Sequence, residues 1–233
     1  LGMSDTHYDN CVGFDSDTHY TSAYYTALLG AAVSEYDCYN EFFATRLDYV
    51  REGERQTQLL NTNKLMQRYD GIIGGKTGTT DKAGCCLAVW AKRGNMKLCA
   101  VALGCKESEQ RFTACTDLLN YGFSGFELYR TEVGSDVLQP INVTEGLEKQ
   151  IDVRVKRLST IVIPRGRAKA IEYTHTVVDS LSAPVQYGEK VGEVRASLDG
   201  EEIFYSDIVT TGEVGELNFF SSLLIIIRRF FSM

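Results

Sequence analysis

The chain has 233 residues, is 44% hydrophobic and 24% charged, and carries a formal net charge of -7. That is enough apolar content for a packed core and the wrong sign for a nucleic-acid partner, while three prolines exclude a proline-rich scaffold. Seven cysteines form no C-x-x-C pair and read mostly as buried small hydrophobes; His7, His19 and His175 show no zinc-binding spacing.

The first five residues offer neither the basic nor the apolar region of a signal peptide, and we expect that feature in a segment before Leu1. Residues 18–34 carry alanine, leucine and aromatics at helical spacing, with Thr21 or Ser22 as N-cap. Residues 42–50 read as a strand before a polar turn at 51–54, and 61–68 as a short helix or turn. Three adjacent antiparallel strands are expected over 71–79, 85–91 and 96–103. A helix over 109–121, stopping near Gly122, would bury Phe112, Cys115, Leu118 and Leu119 against that sheet. Beyond residue 125, short alternating stretches such as 150–155 and 160–164 are punctuated by Pro and Gly and predict a small β-rich domain.

The sharpest chemical signal is Lys76-Thr77-Gly78, one of three motifs of the serine enzymes that recognise penicillin. It closes a predicted strand at a sheet edge, where an extended peptide can pair. An ammonium at Lys76 would stabilise developing negative charge, the Thr77 hydroxyl would meet a carboxylate, and Gly78 lets a backbone approach closely. The tripeptide alone is also compatible with a surface turn, so its context decides.

That context resembles a known family. The segments Asn61-Thr62-Asn63-Lys64-Leu65, Tyr69-Asp70-Gly71 and Gly75-Lys76-Thr77-Gly78-Thr79-Thr80-Asp81-Lys82-Ala83-Gly84 are similar to the active-site strand of the D-alanyl-D-alanine carboxypeptidases, low-molecular-mass penicillin-binding proteins. His19-Tyr20-Thr21-Ser22-Ala23, Gln110-Arg111-Phe112, Leu118-Leu119-Asn120-Tyr121-Gly122-Phe123, Ile163-Pro164-Arg165-Gly166 and Ser182-Ala183-Pro184-Val185 extend the resemblance over nearly the whole chain. It implies an α+β fold: the C-terminal part of a β-lactamase/transpeptidase-like domain, an antiparallel sheet with helices, over 1–124. A β-rich domain over 125–211 and a linker with an amphipathic helix over 212–233 would follow. It further implies a serine acyl-enzyme mechanism with no metal or organic cofactor, on a peptidoglycan stem peptide ending in D-Ala-D-Ala, with β-lactam antibiotics as ligands of the complete enzyme. Lys76, Thr77 and Gly78 would be catalytic, and Lys76, Thr77, Thr79 and Arg111 would hold substrate. For Arg111, a surface residue at a helix start is the competing reading.

The sequence departs from the family pattern in two places. It holds no S-x-x-K and no S-x-N, which we expect to precede residue 1, and Tyr25 stands where the family often has aspartate. A non-catalytic, membrane-tethered peptidoglycan-binding protein is therefore the alternative from another class. A class A β-lactamase relative is the nearest enzymatic rival, but it would not carry the β-rich domain and tail. In that tail, 219–231, Phe and aliphatic residues fall on one side of a helix and Ser221, Ser222, Arg228 and Arg229 on the other, with Ile225 alone misplaced. Thirteen residues are too few to span a bilayer but suit a helix lying in the membrane interface. The implied location is the outer face of the bacterial cytoplasmic membrane.

Overall fold

The computed structural model describes residues 1–51, 53–135 and 137–219. They divide into two units, Leu1–Glu127 and Leu128–Met233, taken separately below.

In the first unit, α1 (Ala23–Val33) is rich in alanine and leucine and starts at Ser22, whose Oγ accepts the backbone N–H of Tyr25 at 3.2 Å. The next helix, α2 (Asp37–Ala44), corrects the expectation of a strand from residue 42; only β1 (Leu47–Val50) is extended, and it pairs with β2 (Thr57–Leu60). The helix prevails through one side of a turn: Asn40 Oδ1 accepts Trp90 Nε1–H at 3.1 Å, and three residues on, Phe43 meets the Trp90 ring edge-on. A single turn, α3 (Leu65–Arg68), then leads into β3 (Ile72–Thr80), β4 (Gly84–Arg93) and β5 (Met96–Cys105).

These strands form an antiparallel sheet in the order β3-β4-β5, with α4 (Ser108–Gly125) following. Successive strand residues face opposite sides. Cys99 of β5 packs where a β-carbon on Gly30 of α1 would lie 2.7 Å from its sulfur, and the preceding Leu98 packs equally close to Gly122 of α4. The two helices therefore cover opposite faces, and β4 is buried on both: Leu87, Val89 and Ala91 on the α4 side, Trp90 on the α1 side. A capping box of Glu107 and Gln110 starts α4, which buries Arg111, Phe112, Cys115, Leu119 and Phe123 along one stripe. Leu118 is exposed and the helix runs three residues past Gly122, because that glycine provides the close approach to Leu98 instead of a stop.

The cysteines are not a buried set. Cys115 alone is buried, while Cys11 and Cys38 are exposed and the other four are partly covered; Cys85, Cys86 and Cys105 sit at strand ends where the helices no longer shield them.

In the second unit, β6 (Phe126–Arg130) enters from the end of α4; β7 (Ile141–Thr144), β8 (Gln150–Ile151), β9 (Val153–Val155), β10 (Thr160–Pro164), β11 (Ile171–Val177), β12 (Ser180–Ser182), β13 (Lys190–Leu198) and β14 (Glu201–Thr210) follow. A four-stranded sheet, β11-β13-β14-β9, and a three-stranded sheet, β12-β7-β8, contribute to one core, and β10 pairs with β6. Ile141 and Val143 of β7 alternate with exposed Asn142 and Thr144, and their inward side chains share that core with Val194 and Ala196 of β13 and Phe204 and Ile208 of β14. No described helix is long and apolar enough to cross a membrane. The tail helix expected over 219–231 lies outside the described residues except for Phe219.

Candidate active site

Strand β3 reads Ile-Ile-Gly-Gly-Lys-Thr-Gly-Thr-Thr, and its two leading glycines are dictated by what presses on them. A β-carbon on Gly74 would lie 2.3 Å from Trp90 Nε1, and one on Gly75 would lie 2.7 Å from Asn63 Nδ2. Trp90 and Asn63 thus clamp the strand from opposite faces just before Lys76. By alternation, Lys76 and Gly78 lie on the Trp90 face and Thr77 and Thr79 on the Asn63 face.

Lys76 is exposed, and its ammonium donates to the carbonyl of Thr77. Thr77 is 9% exposed, and its hydroxyl shares a 2.5 Å hydrogen bond with that of Thr62. Thr79 is exposed and donates to the Gly78 carbonyl at 2.8 Å. Strand β3 has β4 on one side only, so the other edge is free of a strand among the described residues. Lys76, Thr77, Gly78, Thr79 and Thr80 line a cleft of about 1430 Å³ whose other walls include Tyr8, Phe14 and Tyr20 and, from β4 and β5, Cys86, Trp90 and Leu103.

Arg111 departs from the reading of a surface residue at a helix start. It is only 8% exposed, and Nη1 donates to the Gly78 carbonyl (2.9 Å), Thr79 Oγ1 (3.1 Å) and the Cys86 carbonyl (3.2 Å), while Nη2 donates to Ser108 Oγ (3.0 Å). Nε has no partner, and among the described residues no carboxylate pairs with this guanidinium. A buried charge costs free energy unless it is compensated; here neutral oxygens hold it, all but one at the end of the Lys76 strand and its neighbour, and the Phe112 ring centroid lies 5.0 Å from it.

Two residues earlier in α4, Glu109 receives Lys64, and Arg68 Nη1 donates to it at 2.8 Å, tying α3 to α4. Those two hydrogen bonds, Lys64's first, hold its carboxyl below the ordinary value. Among the described residues no group of three potential ligands is placed to hold a metal. The structure therefore gathers all five anticipated positions, Lys76, Thr77, Gly78, Thr79 and Arg111, at one end of β3. It adds Thr62 and Asn63, which stand in the quoted Asn-Thr-Asn run but whose pairing with β3 no local pattern announces.

Residues 1–107 match the family described as D-alanyl-D-alanine carboxypeptidase, and residues 126–216 match the C-terminal domain of penicillin-binding protein 5. The chain belongs to the D-alanyl-D-alanine carboxypeptidase family. Similar members include D-alanyl-D-alanine carboxypeptidase DacA of Escherichia coli, 33% identical over 99% of this chain and 57% of the relative. DacF of Bacillus subtilis is 29% identical over 96% of this chain and 58% of its own length. Penicillin-binding protein 5 of Haemophilus influenzae superposes with a TM-score of 0.75 at 25% identity, over 92% of this chain and 62% of the other. The chain thus spans a little over half the length of these carboxypeptidase relatives.

Proposed function

We propose that this chain supplies the K-T-G side of the substrate cleft of a serine-type D-alanyl-D-alanine carboxypeptidase acting on peptidoglycan stem peptides. The observation that carries this reading is Arg111, a buried cation without a counter-ion, seated on the strand that lines the cleft. A peptide that adds along the free edge of β3 brings its terminal carboxylate toward Thr77, Thr79 and Arg111, and that anion supplies the missing compensation. Lys76 carries its positive charge on the cleft side, where it stabilises charge that develops as a serine oxygen attacks the carbonyl between the two D-alanines. The C–N bond breaks, D-alanine leaves with the proton, and water then releases the acyl group from the serine.

The serine stands outside these 233 residues, which contain neither S-x-x-K nor S-x-N. A β-lactam, whose amide and carboxylate mimic the same peptide end, occupies the same cleft in the serine-bearing protein. In this reading the protein works at the outer face of the cytoplasmic membrane, reached through a leader and held by the 219–231 tail.

The test measures D-alanine release from a D-Ala-D-Ala peptide by a protein joining this chain to a segment with both serine motifs. Lys76→Ala and Thr77→Val should each lower turnover at least about tenfold, the effect of losing one transition-state charge or hydrogen bond. The 233-residue chain alone should release no D-alanine and take no covalent label from penicillin. Unchanged rates in both variants, or labelling of the chain alone, overturn the assignment.

A further inference from the structure

Of the seven cysteines, one pair lies in direct register across the sheet: Cys85 of β4 faces Cys105 of β5. No other cysteine is the register partner of a cysteine among the described strands. We propose that Cys85 and Cys105 are a modification site, a thiol pair that closes to a cross-strand disulfide in an oxidising compartment.

Three features support it. Residues directly opposite in an antiparallel ladder have Cα atoms about 4.5 or 5.5 Å apart, according to the hydrogen-bonding of the pair, and both separations lie within the span a disulfide bridges. A bulge lies between the Leu87–Ala102 and Cys85–Cys105 pairs, and beyond it the two cysteines are again direct partners, so their side chains emerge on the same face of the sheet. The backbones close in further at this end, since a β-carbon on Gly84 would lie 2.8 Å from the Cys105 carbonyl oxygen; Gly84 and Gly104, both at positive φ, allow that approach.

The remaining cysteines are separated from this pair by face, burial or position. Cys86 emerges on the opposite face, beside Gly78 and the cleft. Cys99 faces α1, where burial pushes its thiol up to about 11. Cys115 is fully buried under α4, and desolvation pushes it up to about 12, so it stays a protonated thiol. Cys11 and Cys38 are exposed and lie in the segments before the sheet. Cys85 and Cys105 are both partly exposed, which admits a small oxidant.

The oxidant is a low-molecular-mass disulfide. One protein thiolate attacks it, forming a mixed disulfide and expelling one thiolate. The facing protein thiolate then attacks the protein sulfur of that mixed disulfide and expels the second. One S–S bond breaks and one forms, the protein pair is oxidised, the small disulfide is reduced to two thiols, and these take up the two protons the cysteines lose. The staple pins β4 to β5 immediately beside the Cys86 carbonyl and Thr79, two of the acceptors that seat Arg111.

The experiment exposes the native 233-residue chain to oxidised and reduced glutathione, alkylates remaining thiols in denaturant, and maps the monomer by non-reducing mass spectrometry. The wild type and Cys86→Ser should lose two alkylatable thiols and yield one cross-linked peptide pair joining the regions of residues 85 and 105. Cys85→Ser and Cys105→Ser should lose that pair. A cross-link that survives in Cys85→Ser, a different intramolecular partner in the wild type, or seven alkylated thiols at every glutathione ratio would each overturn the proposal. The wild-type map decides it even if a serine variant fails to fold.

Discussion

The side-chain amide of Asn63 rests on the α-carbon of Gly75, at a spot where a β-carbon would come within 2.7 Å of Nδ2 and 3.0 Å of the Ala88 carbonyl oxygen. Asn63 is 2% exposed, and its Oδ1 accepts the backbone N–H of Leu65 at 3.1 Å, so it has little freedom to retreat. Gly75→Ala should therefore destabilise the chain by about 1–3 kcal/mol, the usual cost of overfilling a packed site. A thermal or urea melt checks this; an unchanged midpoint would show that the clamp on β3 yields easily.

Arg111→Met keeps most of the side chain's length while removing the charge and all four of its donated hydrogen bonds. In the serine-bearing protein it should raise KM for a D-Ala-D-Ala peptide by roughly tenfold or more, as expected for a lost charge-assisted contact. The same variant should discriminate less between that peptide and one with an amidated C-terminus. Retained preference for the free carboxylate would assign Arg111 to architecture alone.

The ionic contacts predict a stability plateau with two flanks. Glu109, held down by hydrogen bonds from Lys64 and then Arg68, and Asp207, held down by Lys190 and then Tyr205, lie below their ordinary values of 4.5 and 3.8. Their contribution is complete above those values and is lost as pH falls through the depressed folded ones. Lys190 is shifted the other way, upward from 10.5, chiefly by its hydrogen bond to Asp207. Its contribution is complete below 10.5 and is lost as pH rises through the higher folded value. Because Glu109 and Lys190 are exposed and Asp207 is only partly covered, the flanks should be shallow. Asp207→Asn should soften both in a melting-temperature profile, whereas an unaltered profile would show that the Lys190–Asp207 pair adds nothing.

The 219–231 tail should bring the chain to anionic vesicles. The chain as a whole carries -7, so attachment depends on apolar burial plus about 1 kcal/mol from each of Arg228 and Arg229. Sedimentation with vesicles should fall as salt is raised, and should be lost in a version ending at Asn218 and in Ile226→Asp. Equal binding by all three proteins would remove the anchor from the proposed function.

Much of the first unit was legible because its signals are local. The alternation and glycine turns of 71–105 mark three strands, and Ser22 stands where α1 begins. The segment 37–44 was not legible: Tyr36 makes no side-chain cap, and its helix is held by Asn40 and Phe43 on Trp90, fifty and forty-seven residues away in sequence. At the site, Lys76, Thr77 and Gly78 announce themselves by motif. The burial of Arg111 and the Thr62–Thr77 contact depend on how α4 and the 61–64 segment return to β3, which no periodicity encodes.

Trp90 is the chain's one tryptophan, and it lies directly behind the Lys76 strand, 3% exposed, with its indole N–H on Asn40 and its ring over Gly74. Nature has thereby placed a single intrinsic fluorophore against the wall of the cleft. Its emission, free of any other indole, is a readout of that wall: a ligand that shifts β3 changes the light without any label being attached.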